Sequence, residues 1–135
     1  MRKLLAALFL LAQSALAADP TKVIYHVSEP ERLPFALANI ANHIRGVGGP
    51  DKVTIVLVTN GPAVKALQKS SADPKLAETL AQLHTQKVEL DACGNTLKQL
   101  NLGVGDLVDG FVRVDQGGVV RIAELQGQGY VYIKP

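Results

Sequence analysis

Cys93 is the only cysteine in the 135-residue chain, and it is the one side chain here suited to act as a soft nucleophile. It stands in Ala92-Cys93-Gly94-Asn95-Thr96. The apolar spacing of Leu97 and Leu100 predicts that a helix starts just after it. A thiol at a helix start meets free backbone N–H groups, here those of Gly94 and Asn95, and these favour the thiolate. Gly94 would also let a substrate approach closely. A carboxylate works against this. Asp91 lies two residues earlier, so on a strand it shares a face with Cys93. At about 6 Å and an effective dielectric near 20 it would cost the thiolate about 3 kcal/mol. A helix terminus returns only about 0.3–1 kcal/mol. Three fates stay open: a small buried hydrophobe, a disulfide between chains, or a reactive thiol.

Other candidates surround this one. His26, near the end of the first predicted strand, could serve as a base or hydrogen-bond partner for the thiol. Asn60, in Asn60-Gly61-Pro62, marks the turn after the second strand. His43 and His84 fall on separate helices, at the surface or its boundary. Three histidines and one cysteine without ligand spacing give no metal site. No cofactor signature appears: Gly46-Val47-Gly48-Gly49 precedes a strand rather than following one, as a phosphate loop would have to. Gly117-Gly118 reads as turn chemistry, and Tyr130 and Tyr132 read as ordinary strand alternation.

Strands and helices alternate along the chain to hold these residues. Strands are predicted at 22–27, 53–58, 88–92, 111–114 and 130–133. The second is almost wholly apolar and so belongs in the middle of a sheet, buried on both faces. Ser28-Glu29-Pro30-Glu31 has a capping-box pattern opening a helix that carries Leu33, Leu37, Ile40 and Ile44. A short helix runs from Gly61 through Leu67. Asp73-Pro74 opens another, with Leu76, Leu80 and Leu83 on one side, and 119–126 forms the last. Residues 102–110 read as a loop or weak turn. Lys87, Glu89 and Asp91 give the third strand a polar face, as near an edge, facing water, or in a polar subunit contact. The alternation predicts a single-domain α/β fold with a mostly parallel five-stranded sheet between helix layers. In such a sheet ligands sit beyond the carboxyl ends of the strands, at a topological switch point. Loops at Ser28-Glu29, Asn60-Gly61, Cys93-Gly94-Asn95 and 115–118 should gather there.

The first 17 residues read as a signal peptide rather than as fold. Arg2 and Lys3 precede the apolar run Leu4–Ala12, and Ala15-Leu16-Ala17 supplies a small-x-small cleavage site. Gln13 and Ser14 break the run well short of the roughly 20 residues of a membrane anchor. Residues 18–135 then form one exported domain, periplasmic or secreted. The whole chain carries 14 basic and 12 acidic residues, and losing Arg2 and Lys3 leaves the two signs equal. A neutral domain without tryptophan lacks the basic face that nucleic acid or an anionic membrane requires.

Three stretches in order carry a family resemblance: Asn39-Ile40-Ala41-Asn42-His43, Ala92-Cys93-Gly94-Asn95-Thr96, and Gly129-Tyr130-Val131-Tyr132-Ile133-Lys134-Pro135. The run from Val56 to Ala63 also fits. Together they make the chain resemble the DsrE/DsrF-like (YchN-like) family, as a small exported member. The resemblance implies a flavodoxin-like sheet and assembly as a homotrimer or homohexamer. In sulfur-relay members a cysteine at the place of Cys93 carries a persulfide and passes the sulfur to an acceptor thiol. Those members work in the cytoplasm, whereas this chain has an export leader. The expected function is sulfane-sulfur carriage on Cys93, from a small sulfur species to an acceptor thiol protein, with Gly94, Asn95, Asn60 and His26 about the site. The alternative is a non-catalytic oligomer that binds a ligand or partner and keeps an inert, buried cysteine.

Overall fold

The computed structural model describes residues 18–135. Residues 1–17, read above as a signal peptide, lie outside the described residues. Five strands form the sheet: β1 (Thr21–Val27), β2 (Val53–Thr59), β3 (Glu89–Cys93), β4 (Phe111–Val114) and β5 (Val131–Ile133). Four α-helices join them: α1 (Leu33–Gly46), α2 (Pro74–Thr85), α3 (Gly94–Gln99) and α4 (Gly118–Gly127). Every strand pairing is parallel, and the order across the sheet is β4-β3-β2-β1-β5. This is the α/β architecture that the alternation implied, and the flavodoxin-like one that the family resemblance implied.

The apolar run of β2 takes the central place. Its residues from Ile55 to Thr59 are buried, because helices cover both faces there. Strand alternation divides the sheet's side chains between two layers. Val23, Tyr25, Ile55, Leu57, Leu90 and Ala92 join the large core under α1, α2 and α3. Ile24, Val56 and Val58 face the other way, against Leu125 of α4. The sheet therefore has a thick, wholly apolar layer on one side and a single helix on the other.

Two helix starts show how differently local signals fare. Asp73 caps α2 as its sequence implied, its Oδ1 accepting from the N–H groups of Lys75 and Leu76 at 2.9 and 3.0 Å. The expected capping box at Ser28 does not form. A 3-10 turn over Pro30–Arg32 precedes α1, and neither start has a side-chain cap. Ser28 instead donates its hydroxyl to Asn60 Oδ1 at 2.7 Å. A partner across the strand ends has taken the hydroxyl from its own helix.

The polar face of β3 also has an explanation that its pattern did not supply. β3 is second from the edge, yet Asp91 is fully buried. Arg121 of α4 covers it, and Glu89 flanks the same guanidinium from a more exposed position.

Candidate functional site

The connections after β1, β2 and β3 lead to elements on the thick layer, whereas the one after β4 leads to α4 on the opposite side. Adjacent strands whose connections leave to opposite faces open a crevice at their carboxyl ends, where α/β folds bind ligands. Here that switch point falls between β3 and β4, and Cys93 is the last residue of β3. The four expected loops do meet at this end of the sheet. Ser28 bonds to Asn60, the Gly61 N–H donates to Thr96 Oγ1 at 2.9 Å, and the Gly118 N–H donates to Cys93 Sγ at 3.2 Å.

The thiol lies between two helix starts. Cys93 is the N-cap of α3, and the first residue of α4 donates a backbone N–H to its sulfur. Only 5% of Cys93 is exposed. Burial pushes the thiol up. The hydrogen bond from Gly118, the Thr96 hydroxyl, and the amides of Thr96 and Asn95 outweigh burial and leave it below the ordinary thiol value. The Thr96 hydroxyl oxygen already accepts from Gly61, so its proton is free to turn toward sulfur.

The carboxylate expected to defeat the thiolate does not. Asp91 shares the face of Cys93, but its Oδ2 accepts from Arg121 Nε at 2.8 Å, and Arg121 Nη2 reaches Glu89 Oε1 at 2.7 Å. Burial raises the Asp91 carboxyl to about 6, against the pull of its bond to Arg121 and with further help from the Glu89 charge. The guanidinium answers the Asp91 charge directly, and the thiol keeps its lowered value.

Glycines around the sulfur have definite steric tasks. A Cβ on Gly94 would sit 2.7 Å from the Val114 carbonyl oxygen and 3.2 Å from Asp115 Cα. Gly94 thus admits neighbouring backbone, not the substrate that its position suggested. Gly117 has φ +87, a conformation that favours glycine, and it lies under the Asn95 amide. Gly118 is enclosed by Cys93, Val58 and Asn60, and a Cβ there would be 3.4–3.5 Å from each. The pair read as simple turn residues is therefore one wall of the thiol site.

His26 is not a partner of the sulfur. Its Nε2 lies 3.0 Å from Asn60 Oδ1 and its Nδ1 2.6 Å from the Tyr132 hydroxyl. An amide oxygen only accepts, so Nε2 carries the proton and Nδ1 accepts from Tyr132. Ser28 Oγ, 3.3 Å from Nε2, completes the group. Asn60 bridges the two clusters, bonding to His26 while its Cβ lines the pocket of Gly118. Tyr132 belongs to this network although its alternation with Val131 and Ile133 looked ordinary. Beside it, a shallow hollow of about 350 Å³ is lined by His26, Val119, Ile122, Gln126 and Tyr132. His43 pairs with the Tyr25 hydroxyl at 2.9 Å on the opposite layer, and His84 stays at the surface.

A cavity of about 670 Å³ lies between α1 and α2, lined by Pro34, Leu37, Ala38, Ala41 and Leu76 among others. It holds no thiol and does not adjoin Cys93, so volume and thiol chemistry part company. Among the described residues no cluster of three or more His, Cys, Asp or Glu side chains could hold a metal ion. None of the described helices is long and apolar enough to cross a membrane.

Comparison with other proteins agrees with this architecture. No curated protein matches the chain. Among solved structures, the protein of unknown function MTH1491 from Methanobacterium thermoautotrophicum is 26% identical. It superposes with a TM-score of 0.74 over 85% of this chain and 99% of its own. The YchN protein from E. coli is 19% identical and shares the fold, with a TM-score of 0.63 over 84% of this chain and 99% of its own. The model of the DsrE/DsrF-like family matches residues 21–135. The match spans all five strands with the cysteine turn at their carboxyl edge, and the chain belongs to the DsrE/DsrF-like family, which is linked to sulfur metabolism.

Proposed function

We propose that this protein carries sulfane sulfur as a persulfide on Cys93 and delivers it to an acceptor thiol. The observation behind this reading is that the chain's one thiol lies at the switch point with a backbone N–H on its sulfur and a lowered pKa. Loading begins when the thiolate attacks a terminal sulfur of a polysulfide dianion. The new S–S bond forms as the next S–S bond breaks, and the shortened polysulfide leaves with its electron pair. Delivery repeats the exchange. An acceptor thiolate takes the outer sulfur, and Cys93 departs as thiolate. Neither step needs an external oxidant, reductant or cofactor. The N–H groups that lower the thiol also suit the negative charge of a bound persulfide. Gly118 holds the donor, Asn95 and Gly94 shape the turn, and Asn60 links it to His26, whose place is at the rim.

On this reading residues 1–17 are an export leader and the domain works in a periplasmic or secreted setting, where polysulfide or a thiosulfate-derived species would be the donor. Assembly as a homotrimer or homohexamer would give several such sites per particle. Intact-mass measurement after polysulfide treatment tests the reading. The mature protein should gain one or more sulfur atoms, lose them to reductant, and gain none as Cys93→Ser. A Cys93→Ser variant that still loads would sink the idea.

The 5% exposure of Cys93 favours one other reading, a non-catalytic binding oligomer with an inert thiol. It requires that a neutral alkylating reagent label Cys93 only after denaturation, and that polysulfide leave the folded protein's mass unchanged.

A further inference from the structure

We propose that Arg121 is a positioning residue for Cys93: clamped between Asp91 and Glu89 of the cysteine's own strand, it fixes the first turn of α4 so that the Gly118 N–H meets the sulfur. This inference rests on Cys93 working as a thiolate, and it concerns how that state is maintained.

The first turn of α4 has little else to hold its side chains down. Val119 and Val120 are 71% and 47% exposed, and beyond Gly118 the only buried residue of the helix is Leu125, near its far end. Arg121 is the side chain of that turn that reaches back to the strand. It lies three residues after Gly118, hence on nearly the same helix face, while Asp91 lies two residues before Cys93 on the same strand face. The guanidinium bonds at 2.8 and 2.7 Å therefore run beside the N–H to sulfur bond. Moving the helix would break both together.

Stability alone does not account for the clamp. Asp91 is fully buried, and among the described residues its Oδ1 is the buried side-chain oxygen without a partner. A buried ion pair with incomplete hydrogen bonding gives little net stability against apolar replacements, and its well-attested use is to fix a register.

The charged groups facing Asp91 are Arg121 from α4 and Glu89 from its own strand. The strands on either side present Val58 and Val112 in register with it, and Cys93 follows two residues on. When Asp91 takes up a proton it loses the charge that holds Arg121, and Glu89 is left as the remaining anionic arm. Mild acid should thus loosen the first turn of α4 before the fold is lost.

The Cβ chemical shift of Cys93, followed through a pH titration, reads the thiolate whether or not the sulfur is accessible. Arg121→Met and Asp91→Ala remove charges of opposite sign. Acting through charge alone, they would move the Cys93 midpoint in opposite directions. If they release the helix, both raise it, by about half a unit to one unit for one lost hydrogen bond. Arg121→Lys, which keeps one arm, should recover part of the shift. Opposite shifts, or no shift, overturn the proposal. A second measurement needs no variant. In the wild-type protein the protection of the Gly118 amide against hydrogen exchange should fall several-fold between neutral pH and pH 5, and constant protection overturns the clamp. Sulfur loading is not read in either experiment. A clamp that holds in a protein that never loads would remove the carrier reading and leave this one, and the converse outcome would do the reverse.

Discussion

The two layers of this sheet differ more in chemistry than in architecture. Toward α1, α2 and α3 the strands present Val23, Tyr25, Ile55, Leu57, Leu90 and Ala92, which merge into one apolar core. Toward α4 they present His26, Asp91 and Cys93 beside the small cluster of Ile24, Val56, Val58 and Leu125. One side specifies the fold, and the other, thinly covered, holds the thiol and the buried carboxyl beside it. A site there can be adjusted through a single helix without repacking the main core.

The largest effect should come from the apolar layer. Leu57→Ala empties a fully buried position in the central strand and should cost about 2–5 kcal/mol in denaturant unfolding. Cys93 in the folded fraction should keep its titration midpoint. A midpoint displaced as far as that of the clamp variants would erase the contrast between layers.

A smaller effect should appear with pH on the α4 side. The Asp91 carboxyl rises from an ordinary 3.8 to about 6 on folding. The folded chain then holds more protons than the unfolded one between those values, so this group makes stability fall as pH climbs from about 4 to about 6. The cost at neutral pH is on the order of 3 kcal/mol. The lowered Cys93 thiol acts with the opposite sign. Its stabilisation grows as pH rises from its folded value toward the ordinary thiol range near 8.5. Unfolding measured across pH for the wild type and Asp91→Ala should show the acid slope only in the wild type. Identical profiles would mean that Asp91 is charged in both states.

The smallest effect belongs to the rim. Tyr132→Phe removes the donor to His26 Nδ1 and should cost about 0.5–1.5 kcal/mol. The Cys93 midpoint should stay where it is, because His26 makes its bonds to Asn60, Ser28 and Tyr132. A moved midpoint would join the two clusters into one site.

What could be read from the residues follows how far apart the interacting groups lie. Asp73-Pro74 opens α2, the apolar run of β2 lies centrally, and Cys93 closes the third strand at a helix start. Each is decided within a few residues. The Ser28 box failed for want of that closure, since Asn60, 32 positions away, claimed the hydroxyl. The same distance hid the partners of the thiol, of its neighbour Asp91 and of the rim histidine. Gly118 lies 25 positions from Cys93, Arg121 30 from Asp91, and Tyr132 106 from His26. Only the return of the chain across the sheet, which seats β5 beside β1, brings them together. Asp91 weighs against a thiolate only while it stands alone, and Arg121 supplies the opposing charge.

That return path also sets a schedule. Cys93 and its own strand leave the ribosome before Gly118, and at roughly 5–20 residues per second the interval is a few seconds. The pairing of β5 with β1, Val23 beside Val131, comes later still. A nascent chain released without its final helix and strand would carry the cysteine without the backbone donor that lowers it. Such a half-made copy would keep only the local donors of Asn95 and Thr96, so the full setting of the thiol waits for the last quarter of the chain.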